Sequence, residues 1–246
     1  MRSSEMRPKS PWGERFGGLA RRRIPWVTPL YVGAVQAGAY ATARLPRERR
    51  VELLRRHSTN VGNLRAGRWG TLVTSAAFVE EPLPVPYGAA LLAALGTAEA
   101  RWGPRRAAGV FAAGHIGASL LVYGGLRARG RGKDLPEATV RALDVGASYG
   151  FYATFGALAA TVPHRGARAA ATAGLLAHGI RPVLRPGRTF TDAGHLTALA
   201  LGLAIGTGTG TRARRGAGAG TRAGRGAGAG TGAGMGAVVR GGQARP

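Results

Sequence analysis

The sequence predicts an all-α protein, a polytopic membrane bundle of about six transmembrane helices. Three observations support this prediction: uncharged apolar runs of spanning length, arginines concentrated between those runs, and Ala and Gly in place of Leu within them. A bilayer core needs ~20 mostly apolar residues, and small side chains let helices approach closely in lipid. The length of the apolar part suits one domain better than two.

Five runs without a charged residue are each 17 to 20 residues long. They cover residues 24–43, 82–98, 107–126, 145–164 and 193–211. A weaker sixth run, 169–180, extends to Leu184 if Arg181 snorkels to the membrane interface. We therefore expect a six-span membrane domain at residues 24–208, in a bacterial cytoplasmic membrane.

The segments on either side of this domain differ in character. Residues 1–23 are basic, and the positive-inside rule places them in the cytoplasm, with 19 basic residues on that side against 16 on the other. The first apolar run is longer than a signal-peptide core, so we expect it to stay uncleaved. Residues 209–246 repeat a Gly-rich decamer from Thr211 and Thr221. Glycine at this density does not repay the entropy of ordering, which predicts a disordered tail.

Composition excludes several classes of function. The net charge of +24 comes almost wholly from arginine, since Lys9 and Lys133 are the only lysines. This bias is typical of a GC-rich genome, and we expect an actinobacterial source. The arginines flank apolar runs and form no nucleic-acid-binding motif, so we expect contact with the lipid bilayer and none with nucleic acid. The absence of cysteine excludes disulfides and Cys-based zinc sites, and no cofactor or metal is expected.

Two histidines, His115 and His195, lie inside uncharged runs of spanning length, where an ionisable residue is by default a functional hypothesis. For His115 a hydrogen bond between packed helices is the simpler interpretation. For His195 the fourth run supplies a possible nucleophile, Ser148, although glycines around a serine also serve helix packing. The same glycines match the nucleophile elbow of α/β-hydrolases, but no strand is predicted before Ser148. Asp192 lies only three residues before His195, so we expect it to cap the sixth helix.

These residues resemble the rhomboid family of intramembrane serine proteases over roughly 63–202. In that family a Gly-x-Ser motif on the fourth span pairs with a histidine on the sixth, as Gly146, Ser148 and His195 would. A tyrosine four residues after the serine and a glycine eight after it are similar to Tyr152 and Gly156. The resemblance implies that Tyr152 packs against the ring of His195.

Further positions support the resemblance. Gly202 follows His195 by seven residues, as small residues do in that family, and lets span four approach span six. Glu99 and Arg101 are similar to the Glu-x-Arg signature after the second span. Trp69 lies in a stretch that resembles the family's Trp-Arg segment, although Gly70 stands where its arginine is expected.

One departure bears on activity. Rhomboids that cleave usually supply a histidine and an asparagine from the second span to hold the oxyanion, and these positions fall at Leu83 and Tyr87. Removing one oxyanion donor costs an enzyme about 10²- to 10³-fold in rate. Neither side chain replaces the usual pair, although the Tyr87 hydroxyl could donate one bond.

The resemblance implies a serine endopeptidase that cleaves a transmembrane or juxtamembrane segment of another membrane protein. Ser148 would attack the peptide carbonyl, and His195 would take its proton and pass it to the departing amine. The alternative is a weakly active or inactive rhomboid-like protein that binds transmembrane helices. A third interpretation is a membrane protein in which glycines and histidines only pack helices.

Overall fold

The computed structural model describes residues 24–129, 137–140 and 142–226. Within these ranges the chain is helical and contains no strand, which confirms the all-α class. The N-terminal segment 1–23 and residues 227–246 of the tail lie outside the described residues. The helices are α1 Val27–Ala43, α2 Arg47–His57, α3 Val61–Arg65, α4 Thr71–Thr74, α5 Val85–Trp102, α6 Pro104–Arg129, α7 Glu137–Val140, α8 Ser148–Ala160, α9 Arg165–Val183 and α10 Phe190–Gly226, with a 3-10 turn at Ser75–Ala77.

The six longest helical stretches that hold the apolar runs are α1, α5, α6, α8, α9 and α10, and they follow the order of the predicted spans. Among the described residues one helix, Pro104–Ala128, is long and apolar enough by length and composition to cross a membrane. α8 has only 13 residues, because residues 145–147 and 161–164 of its run lie outside the helix. The number of spans therefore stays a prediction.

Local sequence explains several helix ends. α5 begins after Pro84 and carries Pro86 within its first turn, where a missing N–H costs nothing. It ends at Gly103, whose φ of 81° suits glycine and whose N–H donates to Glu99 O at 2.7 Å. α6 starts at the next residue, so a single left-handed glycine forms the whole connection between α5 and α6.

α8 is the central helix of the bundle, and α6 packs against it most extensively. A Cβ added at Gly114 of α6 would overlap the side chain of Ala153. On α10, a Cβ at Gly202 would overlap the Ala153 backbone, and one at Gly206 would lie 2.7 Å from Ala157 O. Small residues therefore set the helix spacing around α8, as the Ala- and Gly-rich runs predicted.

The chain divides into two units, Met1–Thr207 and Gly208–Pro246. Helix α10 ends at Gly226, so its last part includes the first residues of the segment 209–246 for which the composition predicts disorder. The arginines and alanines of this stretch are good helix formers, and they oppose the effect of the glycines.

Candidate active site

The candidate nucleophile, Ser148, is the first residue of α8 and is half-buried. Gly146 precedes it in a turn with φ of 128°, a conformation that side chains rarely adopt, and its N–H donates to Ser75 O at 2.8 Å. The first helical bond runs from Phe151 N to Ala147 O. The N–H groups of residues 147–150 therefore have no acceptor among the described residues, and they form the positive end of the helix dipole.

His195 lies in the second turn of α10 between two tyrosine rings of α8. The Tyr152 ring stacks on the imidazole with 4.7 Å between centroids and 26° between planes. The Tyr149 ring meets it edge-on at 5.4 Å. Because Tyr152 follows Ser148 by four residues, both occupy one face of α8, so Ser148 and His195 lie at the same end of the two helices. The ring contact that the resemblance implies is present.

No hydrogen bond joins Ser148 to His195 among the described residues. Catalytic hydrogen bonds are often long without substrate and tighten only when it binds. In the described part of the chain the two residues therefore lie on packed helices, with the Tyr152 ring as the observed contact of His195, and they form no hydrogen-bonded pair.

Glycines determine how closely α8 approaches α10 at this site. A Cβ at Gly194 would overlap the hydroxyl end of Tyr149, and one at Gly156 would lie 2.6 Å from Leu199 O. Together with Gly202, they bring the backbones of α8 and α10 into contact along two turns. The His195 ring reaches Tyr152 because these positions carry no side chain.

Asp192 caps α10, as predicted, and does so in a reciprocal capping box with Thr189. Asp192 Oδ2 accepts bonds from Thr189 N at 2.7 Å and Thr189 Oγ1 at 2.8 Å, and Asp192 N donates to Thr189 Oγ1 at 3.3 Å. These bonds from the Thr189 backbone and hydroxyl hold the pKa of Asp192 below its ordinary value. No hydrogen bond from Asp192 reaches His195 in the described part of the chain.

The Glu-x-Arg segment has a structural role through its glutamate. The buried Glu99 carboxylate accepts bonds from Val27 N at 3.0 Å, Thr28 N at 2.7 Å and Thr28 Oγ1 at 2.7 Å. It therefore caps the start of α1 from the end of α5, where an anion suits the helix dipole. Arg101 and Trp69 are exposed and do not touch the Ser148 turn in the described contacts.

Leu83 and Tyr87 lie where the usual oxyanion donors are expected, and the surroundings are apolar. Leu83 belongs to the same buried cluster as Ala147, and Tyr87 packs against that cluster. Tyr87 meets Phe151 edge-on, with centroids 5.8 Å apart. Both positions therefore face the start of α8, as the resemblance implies. Their side chains form an apolar surface whose one polar group is the Tyr87 hydroxyl.

The residues that hydrogen-bond to the segment before Ser148 were not identified from the sequence. Thr59 N donates to Asp144 O at 3.1 Å, and Asp144 N donates to Ser58 Oγ at 2.8 Å. The Asp144 carboxylate accepts a bond from the Tyr123 hydroxyl at 2.7 Å. Burial raises the pKa of Asp144 to about 6, although the hydroxyls of Tyr123 and Tyr149 oppose the shift. The sequence signal that could have identified Asp144 is its position directly before an uncharged run and four residues before the candidate nucleophile.

His115 forms the hydrogen bond between packed elements that was the simpler interpretation of its place in a span. Its Nε2 lies 3.0 Å from Ser75 Oγ, and both residues are buried. The partner, Ser75, lies in the short apolar stretch before α5 and carried no sequence motif.

A family model described as rhomboid-like protein matches residues 22–215. Searches of curated proteins and of solved structures gave no significant match. The match covers every helix from α1 to α9 and the part of α10 that carries His195. The chain therefore belongs to the rhomboid-like protein family.

Proposed function

We propose that this protein is an intramembrane serine protease in which Ser148 is the nucleophile and His195 the general base. The observation that carries the proposal is the stacking of His195 on Tyr152, one helical turn from Ser148 on the same face of α8. The imidazole contacts Tyr149 and Tyr152, so it lies against the end of α8 that begins at Ser148. The substrate is a transmembrane or juxtamembrane segment of another membrane protein.

In the proposed reaction, Ser148 Oγ attacks the peptide carbonyl while His195 takes the hydroxyl proton. The imidazolium then gives that proton to the departing amine, and a water repeats the sequence on the acyl-enzyme. Tyr152 and Tyr149 hold the imidazole by ring contacts, which replaces the orienting carboxylate of a triad. The pair needs no bound metal for this sequence of steps.

The unpaired N–H groups at the start of α8 are the proposed oxyanion donors. They belong to residues 147–150, and the helix dipole adds to their positive potential. The Tyr87 hydroxyl would supply at most one further bond. With an apolar wall at Leu83, we expect slower cleavage than the usual donor set would give.

The apolar environment of Leu83 favours a second candidate function, a rhomboid-like protein that binds transmembrane helices without cutting them. The double variant Leu83→His/Tyr87→Asn separates the two. If the site is catalytic and lacks donors, this variant should cleave about 10- to 100-fold faster than the parent chain. A binding-only protein would show no cleavage with either chain.

Cleavage itself is tested in proteoliposomes that contain the purified protein and a fluorescent single-span reporter substrate. We expect slow release of a fragment whose ends are identified by mass spectrometry, and no release with Ser148→Ala. Retention of the reporter in a stable complex, uncut over days, would support the binding function instead. Cleavage that persists in Ser148→Ala would show that Ser148 is not the nucleophile.

Six membrane spans, with the N-terminus inside the cell, complete the proposal. Because the chain has no native cysteine, single cysteines placed in the connections can be probed directly with membrane-impermeant reagents. Alternating accessibility across the five connections and the two ends is expected. If α9 did not cross, Ser148 and His195 would lie on opposite sides of the membrane.

A further inference from the structure

We propose that Ser75 and His115 form a positioning pair that fixes the turn before Ser148, and so sets the direction in which the Ser148 hydroxyl points. This inference rests on the proposed function of Ser148. The pair lies outside the dyad, on the 3-10 turn and on α6. It acts through the backbone at Gly146 and touches no substrate.

The backbone carbonyl of Ser75 binds the turn, and the Ser75 hydroxyl is bound by other buried side chains. Its carbonyl accepts the Gly146 N–H at 2.8 Å. Its hydroxyl lies 3.0 Å from His115 Nε2 and 2.9 Å from Thr59 Oγ1. A movement of the Ser75 hydroxyl would therefore move the only acceptor that Gly146 N–H has among the described residues.

Thr59 adds a second attachment to the same turn. Its N–H donates to Asp144 O at 3.1 Å, and its hydroxyl donates to Thr71 O at 2.9 Å. The three-residue segment 144–146 is thus hydrogen-bonded at both ends to one buried polar cluster. The relative exposures of Thr59, Ser75 and His115 are 1%, 1% and 4%. Removing a hydrogen-bond partner would therefore leave a buried polar group unsatisfied, which destabilises the cluster.

The geometry of the turn explains why it needs such support. Gly146 adopts φ of 128°, and the following N–H groups find no acceptor among the described residues. A helix end with free N–H groups is not held by its own backbone bonds. The cluster supplies from outside the rigidity that the turn lacks, and this fixes the backbone from which α8 begins at Ser148.

His115 is also connected to the candidate base, His195, through the ring of Tyr149. Its ring lies 6.1 Å from that of Tyr149, and Tyr149 lies 5.4 Å from His195. We therefore expect a substitution at His115 to affect His195 as well as Ser148. A catalytic role for Ser75 itself is disfavoured, because its hydroxyl is enclosed and already has two partners.

Hydrogen exchange tests the positioning role without requiring any enzyme activity. In the full chain in detergent, the Gly146 amide should exchange about five- to tenfold faster in Ser75→Ala and in His115→Leu. His115→Gln keeps a polar nitrogen near the Nε2 position and should restore most of the protection. The Gly103 amide, which donates to Glu99 O at the far junction, should not change in any variant.

Ser119→Ala is the matched control, because Ser119 is buried on the same helix and its hydroxyl has no hydrogen-bond partner in the described part of the chain. It should leave Gly146 exchange within about twofold of the parent value. Fluorophosphonate labelling of Ser148 should fall about tenfold in Ser75→Ala and recover in His115→Gln relative to His115→Leu. Mass spectrometry should find no label on Ser75 in any protein.

The outcomes separate this inference from the proposed function. Unchanged Gly146 exchange in Ser75→Ala would overturn the positioning role, whatever the labelling shows. Equal acceleration at Gly103 and Gly146 would reduce the pair to general stability and would also overturn it. If His115→Leu does not fold, Ser75→Ala and His115→Gln decide the matter. If the parent chain takes no label, the proposed function is contradicted. The exchange data still test whether Ser75 and His115 position the turn.

Discussion

The imidazole of His195 lies flat against the phenol ring of Tyr152, with centroids 4.7 Å apart and planes 26° apart. The two residues come from α10 and α8, and the contact exists because Gly202 and Gly156 allow these helices to meet at their backbones. Asp192, the nearest acid in sequence, is occupied by Thr189. Orientation of the candidate base therefore depends on aromatic stacking.

Replacing Tyr152 tests this dependence. Tyr152→Phe keeps the stacked ring and should retain fluorophosphonate labelling within about threefold. Tyr152→Ala removes a ring pair worth about 0.5–1.5 kcal/mol and should lower the labelling rate about tenfold. Phe155→Ala is the control, because Phe155 is an exposed ring of α8 that stacks on Phe151 and not on His195. Equal loss in Tyr152→Ala and Phe155→Ala would show that the stack has no special role.

Asp192 is predicted to act on helix stability and not on proton transfer. Asp192→Ala should lower the free energy of unfolding by about 1 kcal/mol, as loss of a cap does, and leave labelling of Ser148 within about threefold. Thermal unfolding in detergent and labelling rates measure the two effects. Loss of an orienting triad carboxylate costs about 10⁴-fold, so a fall of that size would make Asp192 a third catalytic member.

The contact between α8 and α10 predicts an asymmetric response to alanine. Gly202→Ala would drive a Cβ into the Ala153 backbone, and we expect a loss of about 1–3 kcal/mol in the free energy of unfolding. Gly124→Ala on α6 meets nothing within 4 Å and should stabilise the chain by about 1 kcal/mol or less. Similar unfolding temperatures for the two variants would contradict the close packing.

Asp144 predicts how stability depends on pH. Its pKa is raised from 3.8 to about 6 by burial, so the folded state binds the proton more tightly than the unfolded state. Its contribution to stability is full below pH ~4 and is lost as pH rises through ~6, by about 3 kcal/mol at most.

Asp144→Asn should remove this slope and raise the unfolding temperature at neutral pH, if the amide oxygen keeps the Tyr123 bond. Unfolding curves from pH 4 to 8 measure both effects. Asp192→Asn is an informative comparison, because the pKa of Asp192 is lowered and its contribution is lost as pH falls. An unchanged slope in Asp144→Asn would mean that another group controls this range.

The sequence predicted the helices and the dyad for different physical reasons. Uncharged runs locate helices because each helix must satisfy its backbone groups within itself, and α1, α5, α6, α8 and α10 overlap those runs. Ser148, Tyr152 and His195 came from a resemblance in their spacing. The capping role of Asp192 followed from its place before an apolar run, although its partner, Thr189, did not.

The supports of the Ser148 turn could not be read from the sequence. Ser58 and Asp144 are joined across 86 positions, and Ser75 and His115 across 40. No helical period or short motif links residues so far apart, and serine and threonine are common in any loop. The short length of α8 was also missed, because Gly146 and Ala147 count as apolar in a run but form a turn.

The most direct test of the dyad is fluorophosphonate labelling of the purified, folded chain, with the labelled residue identified by mass spectrometry. The account predicts a label on Ser148, no label in Ser148→Ala, and a rate lowered about 10²- to 10⁴-fold in His195→Ala. A folded parent chain that takes no label, or a label that survives Ser148→Ala, would contradict it.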